Sequence, residues 1–158
     1  VHGALAGSGV FCEIVVVTGF SAELLKPELK RLKARSVYNP DFALGMHRSI
    51  RTGLSGLAPD WDAALIAMVD QPQLGAGDYR LIAEAYQNSS ASLVRPWFRG
   101  EPGNPCILGR KHLPEILAEP DSDRGCAYLF KRHPDDVLNV EVGTDRYQID
   151  FDVTRPSS

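Results

Sequence analysis

The sequence predicts one three-layer α/β domain over residues 1–158: a mostly parallel sheet with helices on both faces and one antiparallel strand. Three observations carry this expectation. Short apolar runs alternate along the chain with stretches whose apolar residues recur at helical spacing, the order that builds parallel βαβ units. Leu65 to Val69 is apolar without interruption, as in a strand covered on both faces. The later strand-like segments are more irregular, which leaves room for a strand of opposite direction.

Taken in order, residues 1–10 read as the end of a helix, stopped by Gly7 and Gly9. Ile14 to Val17 is a β-branched strand feeding a turn at Thr18 and Gly19. Ser21 caps a helix reaching Leu32, with Leu24, Leu25, Leu29 and Leu32 on one side; Pro27 inside it predicts a late start or a kink. Val37 and Tyr38 make a short strand. After the loop to Gly45, Met46, Ile50, Leu54 and Leu57 mark a helix that packs on a sheet. Gly45, His47 and Ser49 fall at its first turn, where amide hydrogens and a hydroxyl suit an anion or a base edge. A plain surface histidine is the alternative for His47.

Asp70 ends the Leu65 to Val69 run, and Pro72 then turns the chain away. In an open α/β sheet the ligand crevice lies outside the carboxyl ends of the strands, so a carboxylate there can hold a cation against a phosphate. A cap of the following turn is the competing explanation. Residues 75–78 open a helix with Tyr79, Ile82, Ala83 and Tyr86 on one face, and residues 91–98 form a strand whose Pro96 predicts an edge or a bulge. Residues 99–105, RGEPGNP, are a turn; residues 106–108 are extended, and Leu113, Ile116 and Leu117 mark a short helix with Pro114 in its first turn. DSDRG at 121–125 precedes a helix buried through Cys126, Leu129 and Phe130, with Asp123 as a natural cap. Residues 137–142 and 147–153 read as strands. The second puts Asp150 and Asp152 on one face, as a solvent face or as ligands.

Composition narrows the function. With 158 residues and a net charge of −3, the chain has one core and no basic face of the kind nucleic acids require. Arg48 with Arg51, and Arg95 with Arg99, could meet a small polyphosphate or simply lie in solvent. Cys12, Cys106 and Cys126 are odd in number and far apart, which indicates neither a disulfide framework nor a zinc site and fits a reducing, cytoplasmic compartment. No apolar run approaches membrane-spanning length, and no signal-peptide pattern opens the chain.

The series VVVTG at 15–19, NPDFALGMHRSIRTGL at 39–54, MVDQPQL at 68–74, RGEPGNPCIL at 99–108, DSDRG at 121–125 and DFD at 150–152 resembles the molybdenum cofactor nucleotidyltransferases. Within these MobA-like NTP transferases it is most similar to the branch that transfers CMP from CTP to molybdopterin. The resemblance implies a Rossmann-like, nucleotide-diphospho-sugar transferase-like fold and magnesium-dependent transfer to the cofactor's terminal phosphate, with release of pyrophosphate. It implies Mg2+ on Asp70 with Asp152, or less favourably Asp150. It places Gly45, His47 and Ser49 along with Asp70 at the nucleotide, and Arg99, Gly103, Asn104, Pro105, Asp123 and Arg124 at the acceptor pterin. A molybdoenzyme or its chaperone is an implied partner; nucleic acid and membrane are not. His47 and Arg48 stand where small hydroxyl residues are usual, and Asn104 stands where histidine is usual.

The resemblance also implies a first strand and a glycine-rich phosphate-binding loop, a βα unit of roughly 30 residues ahead of Val1, and the expectation is a domain lacking that unit. Two other functions fit an α/β domain. One is an NAD(P)-dependent oxidoreductase, against which stands the absence of G-x-G-x-x-G after a strand; the other is a noncatalytic nucleotide- or cofactor-binding protein.

Overall fold

The computed structural model describes residues 1–150. In chain order its elements are α1 (His2–Ser8), β1 (Val15–Thr18), α2 (Ala22–Arg31), β2 (Arg35–Tyr38), α3 (Met46–Gly56), β3 (Ala63–Ile66), α4 (Ala76–Gln87), β4 (Leu93–Phe98), β5 (Glu101–Pro102), β6 (Cys106–Gly109), α5 (Leu113–Ala118), α6 (Ala127–Arg132) and β7 (Val137–Glu141). Gly9 closes α1 in the left-handed conformation, at φ 72°.

β1 and β2 pair in parallel. A second ladder runs β3-β6-β4-β5, and β7 joins it along β4. β6 is antiparallel to both β3 and β4, whereas β7 is parallel to β4. β3, β4 and β7 therefore share one direction, and β6 and the two-residue β5 run opposite to it, where the sequence predicts one such strand. The period-2 alternation of strand side chains then sorts the core into two layers. Leu93 and Leu108 pack with Ile50 and Leu54 of α3, Ile116 of α5 and Leu129 of α6. Their neighbours Val94 and Ile107 face the other way, onto Ile82 of α4. Helices thus cover both faces. Leu93, Val94, Leu108 and Ile82 are completely buried, and each stabilises the fold by roughly 1.5–3 kcal/mol.

Several local expectations are corrected. β3 ends at Ile66, four residues short of Asp70, and Val69 is 81% exposed. The ladder stops because Ile66 pairs with Cys106, and the next residue back on that strand is Pro105, which has no N–H to continue it. β4 is flanked by β6 and β7 and is not an edge strand. Pro96 is tolerated because it falls between the β6 pairing at Leu93 and Val94 and the β5 pairing at Trp97 and Phe98; on that side its carbonyl accepts from Gly103 N at 3.0 Å. α2 continues through Pro27 with no side-chain cap from Ser21, and none of its residues is buried; Leu24 is 79% exposed. The expected strand from residue 147 is absent over the described residues. A 3-10 turn at Asp145–Tyr147 stands there, its start held by Thr144 Oγ1 accepting from Arg146 N.

The three cysteines differ sharply in environment. Burial pushes the Cys106 and Cys126 thiols up to about 12, whereas Cys12 is exposed. At pH 8 only about one in ten thousand of the buried thiols is thiolate, the reactive form. A thiolate-specific reagent is therefore expected to label Cys12 alone in the folded protein and all three thiols after unfolding; mass spectrometry of the labelled peptides checks this.

Candidate active site

Asp70 lies in the turn beyond the carboxyl end of β3. Its Oδ1 is buried without a hydrogen-bond partner. An oxygen in that condition costs free energy unless something supplies positive charge or a proton donor to it. Gln71, next in the chain, is 1% exposed; its Nε2 donates to Tyr147 O at 3.2 Å and to Asp150 Oδ1 at 3.0 Å. Asp150 is thereby brought beside the Asp70 turn. Asp152 lies outside the described residues.

The same Tyr147 carbonyl accepts from Asn104 N at 2.8 Å. Gly103 presses so closely on it that a Cβ would stand 2.5 Å from Tyr147 O, so only glycine fits there. Gln148 Nε2 donates to Phe98 O at 3.1 Å and Glu101 O at 2.8 Å, and Gln73 Nε2 donates to Arg146 O and Ile149 O, each at 2.7 Å. Residues 145–150 are thus laced between the MVDQPQL and RGEPGNP segments. Gln71, Gly103 and Asn104 thus gather around the Tyr147 carbonyl, with Asp150 on Gln71, and Asp70 and buried Pro105 are their neighbours in the chain. Arg99 is exposed at the β4–β5 turn with φ 52°, its guanidinium 5.1 Å from the Phe98 ring centroid.

A second cluster forms at the start of α3. Gly45 adopts φ 107°, and a Cβ there would meet Asp123 Oδ1 and the Ser122 backbone at 2.7 Å. His47 N donates to Ser122 O at 2.9 Å, so that amide at the helix start already has a protein acceptor. His47 is no surface histidine: it is fully buried, with Nε2 3.3 Å from Tyr128 Oη and Nδ1 3.7 Å from Asp121 Oδ1. Arg51 Nη1 lies 3.4 Å from that same carboxylate oxygen, and Arg48 Nη1 lies 3.8 Å from Asp121 Oδ2. Ser49 Oγ accepts from Asn39 Nδ2 at 3.1 Å. Gly45 and His47 therefore adjoin Ser122 and Asp123, the second of which the family resemblance places at the acceptor rather than at the nucleotide. Asp123 does not cap α6, whose start at Cys126 has no side-chain cap; Asp123 and Arg124 are exposed.

Sequence reasoning passed over Gln71, Gln148 and Asp121. Gln71 stands inside the MVDQPQL motif, so its signal was present, but its role as a clamp depends on a segment 76 residues further along.

The family model of the MobA-like NTP transferase domain matches residues 1–137. The chain belongs to that family. Solved structures share this fold. A nucleotidyl transferase from Methanothermobacter is 22% identical, with 90% of this chain and 68% of that one covered, at a TM-score of 0.73. Rv0371c from Mycobacterium tuberculosis, in complex with manganese, is 20% identical over 89% and 74%, at 0.72. The 4-diphosphocytidyl-2C-methyl-D-erythritol synthase of Anaerococcus prevotii is 16% identical over 94% and 76%, at 0.74. At such identities the likeness speaks for the fold. A search of curated proteins found no match. Among the described residues of this MobA-like domain, no helix is long and apolar enough to cross a membrane.

Proposed function

We propose that this chain transfers CMP from CTP to the terminal phosphate of molybdopterin and releases pyrophosphate, with Mg2+ held by Asp70 and Asp152. The observation that carries this reading is the buried, partnerless Oδ1 of Asp70 beyond the end of β3, in a family of NTP transferases. The donors are hard carboxylate oxygens, which suits a small divalent cation of the Mg2+ or Mn2+ kind. Asp150, beside Gln71, is the second candidate for the partner carboxylate. When bound, the cation neutralises charge on the phosphate oxygens.

An acceptor phosphate oxygen forms a bond to the α-phosphorus as the α–β bridging bond breaks, and the electron pair leaves on pyrophosphate. The chain's own work is to hold the two reactants in line. Gly45, His47 and Ser49 border the nucleotide, with the enclosed His47 ring and its amide, already bonded to Ser122 O, shaping that wall rather than donating to the ligand. Arg99, Gly103, Asn104 and Pro105 border the acceptor; Asp123 and Arg124 belong to the same proposed acceptor set, although Asp123 lies against Gly45. Residues 1–158 act in this scheme as a single nucleotidyltransferase-like domain.

The test is pyrophosphate release by the full-length protein with molybdopterin, Mg2+ and CTP, GTP or ATP in turn. Turnover is expected with CTP. A preference for another nucleotide overturns the CMP assignment, and calorimetric binding of CTP without pyrophosphate release overturns catalysis.

A further inference from the structure

A second cluster of ligating side chains lies at the opposite rim of the sheet. Gly109, the last residue of β6, pairs with Ala63, the first of β3, so the chain after β6 emerges at the amino end of β3. There His112 closes a 3-10 turn, Glu115 stands on α5, and His133 ends α6 shortly before β7. Asp70 lies past the other end of β3, about 13 Å of strand away and more. One donor atom each from His112, Glu115 and His133 lies within 4.8 Å of the others.

We propose that His112, Glu115 and His133 bind a borderline dication of the Zn2+ type, which staples α5 to α6 and is independent of the phosphate-transfer rim. Two imidazoles and one carboxylate are the donor set that such an ion prefers over the all-oxygen shell of magnesium. The supporting contacts are already in place. His112 is 4% exposed, and its Nε2 is 2.7 Å from Ser92 Oγ, which fixes the ring and leaves Nδ1 as its ligating nitrogen. Arg132 Nη1 donates to Glu115 Oε1 at 2.8 Å, leaving Oε2, which sits 2.6 Å from His133 Nε2.

The two imidazole rings lie 4.8 Å apart, centroid to centroid. With metal–donor bonds of about 2.1 Å, donors of a tetrahedral site sit ~3.3 Å apart. The His133–Glu115 contact opens slightly, and the widest pair closes by at most about 1.5 Å. Both His133 and Glu115 are part-exposed side chains that can make this adjustment. The neighbouring cations do not forbid the site, because each has its own counter-charge: Lys111 with Asp136 at 2.7 Å, and Arg132 with Glu119 at 2.7 Å. α5 and α6 are six residues each, too short to hold their shape unaided, so a bond between them stabilises both. The cysteine spacing could not announce this site, since it uses none.

The experiment is a titration of the metal-free full-length protein with Co2+, followed by visible absorption, and then displacement by Zn2+. One equivalent is expected to give the bands of a four-coordinate nitrogen and oxygen site, undisturbed by millimolar Mg2+. Glu115→Gln and His133→Ala are each expected to weaken Zn2+ about 100-fold or more, while Asp70→Asn binds as the parent does. A readout that needs no variant is the imidazole proton spectrum: Zn2+ should move the signals of His112 and His133 and leave those of His2 and His47. Equal Co2+ affinity in parent and Glu115→Gln, loss of binding in Asp70→Asn, or unmoved His112 and His133 signals overturns the proposal.

Discussion

Asp70→Ala in the full-length protein is expected to lower magnesium-dependent pyrophosphate release about 100-fold or more, the equivalent of roughly 3 kcal/mol or more in the barrier. The reason lies in the unpaired Oδ1. A carboxylate kept only to cap a turn would accept from the backbone around it, yet this oxygen is buried with no donor. Asp70→Asn separates the two roles. Asparagine caps turns about as well as aspartate does, so a capping role predicts an active variant. A cation ligand needs the negative charge, and the expected result is loss of turnover in Asp70→Asn with a thermal midpoint at or above that of the parent. The rise comes from removing the charge of a half-buried carboxylate whose Oδ1 has no donor, the usual relation between a site and the stability it costs. Parent-like turnover in Asp70→Asn, measured by coupled pyrophosphate detection, would remove Asp70 from the mechanism.

The contrast between what was readable and what was not follows from the range of the interactions. α3 and α4 were legible because Ile50 and Leu54, and likewise Tyr79, Ile82 and Ala83, recur at helical spacing and are buried as that spacing demands. An antiparallel strand was legible as irregularity, but the position of β6 between β3 and β4 was not, since strand order is fixed by pairings far apart in sequence. α2 shows the limit of periodicity. Leu24 and Leu25 lie on the helix as expected, yet burial needs a partner surface, which a repeat within one segment cannot reveal. His47 was misread for the same reason: its enclosure comes from Asp121, Ser122 and Tyr128, more than 70 residues away. At the site, motifs marked Asp70 and the turn with Gly103 and Asn104, whereas the Tyr147 carbonyl that holds the two segments together carries no side-chain signature at all.

That carbonyl is itself held in place from α4, and Asp78→Ala is expected to show it by lowering stability about 3 kcal/mol. Asp78 is buried on the first turn of α4 and accepts three hydrogen bonds: from Gly75 N at 2.8 Å, Arg146 Nη2 at 2.5 Å and Tyr147 Oη at 2.5 Å. The first satisfies an otherwise open amide at the helix start, and the other two tie residues 145–147 to the helix. Truncation leaves a buried phenol without an acceptor, and hydrogen bonds to a charged group are the costly ones to lose. For a chain of this length such a loss lowers the thermal midpoint by roughly 6–12 °C. Tyr147→Phe removes one donor and leaves the other two, so about 1 kcal/mol is expected. The double variant should fall short of the sum, because both changes delete the same contact. Activity should fall as well, since Tyr147 O positions both Asn104 and Gln71, and Gln71 in turn holds Asp150. An Asp78→Ala protein that melts with the parent, or a strictly additive double variant, would show that this clamp contributes nothing to the fold.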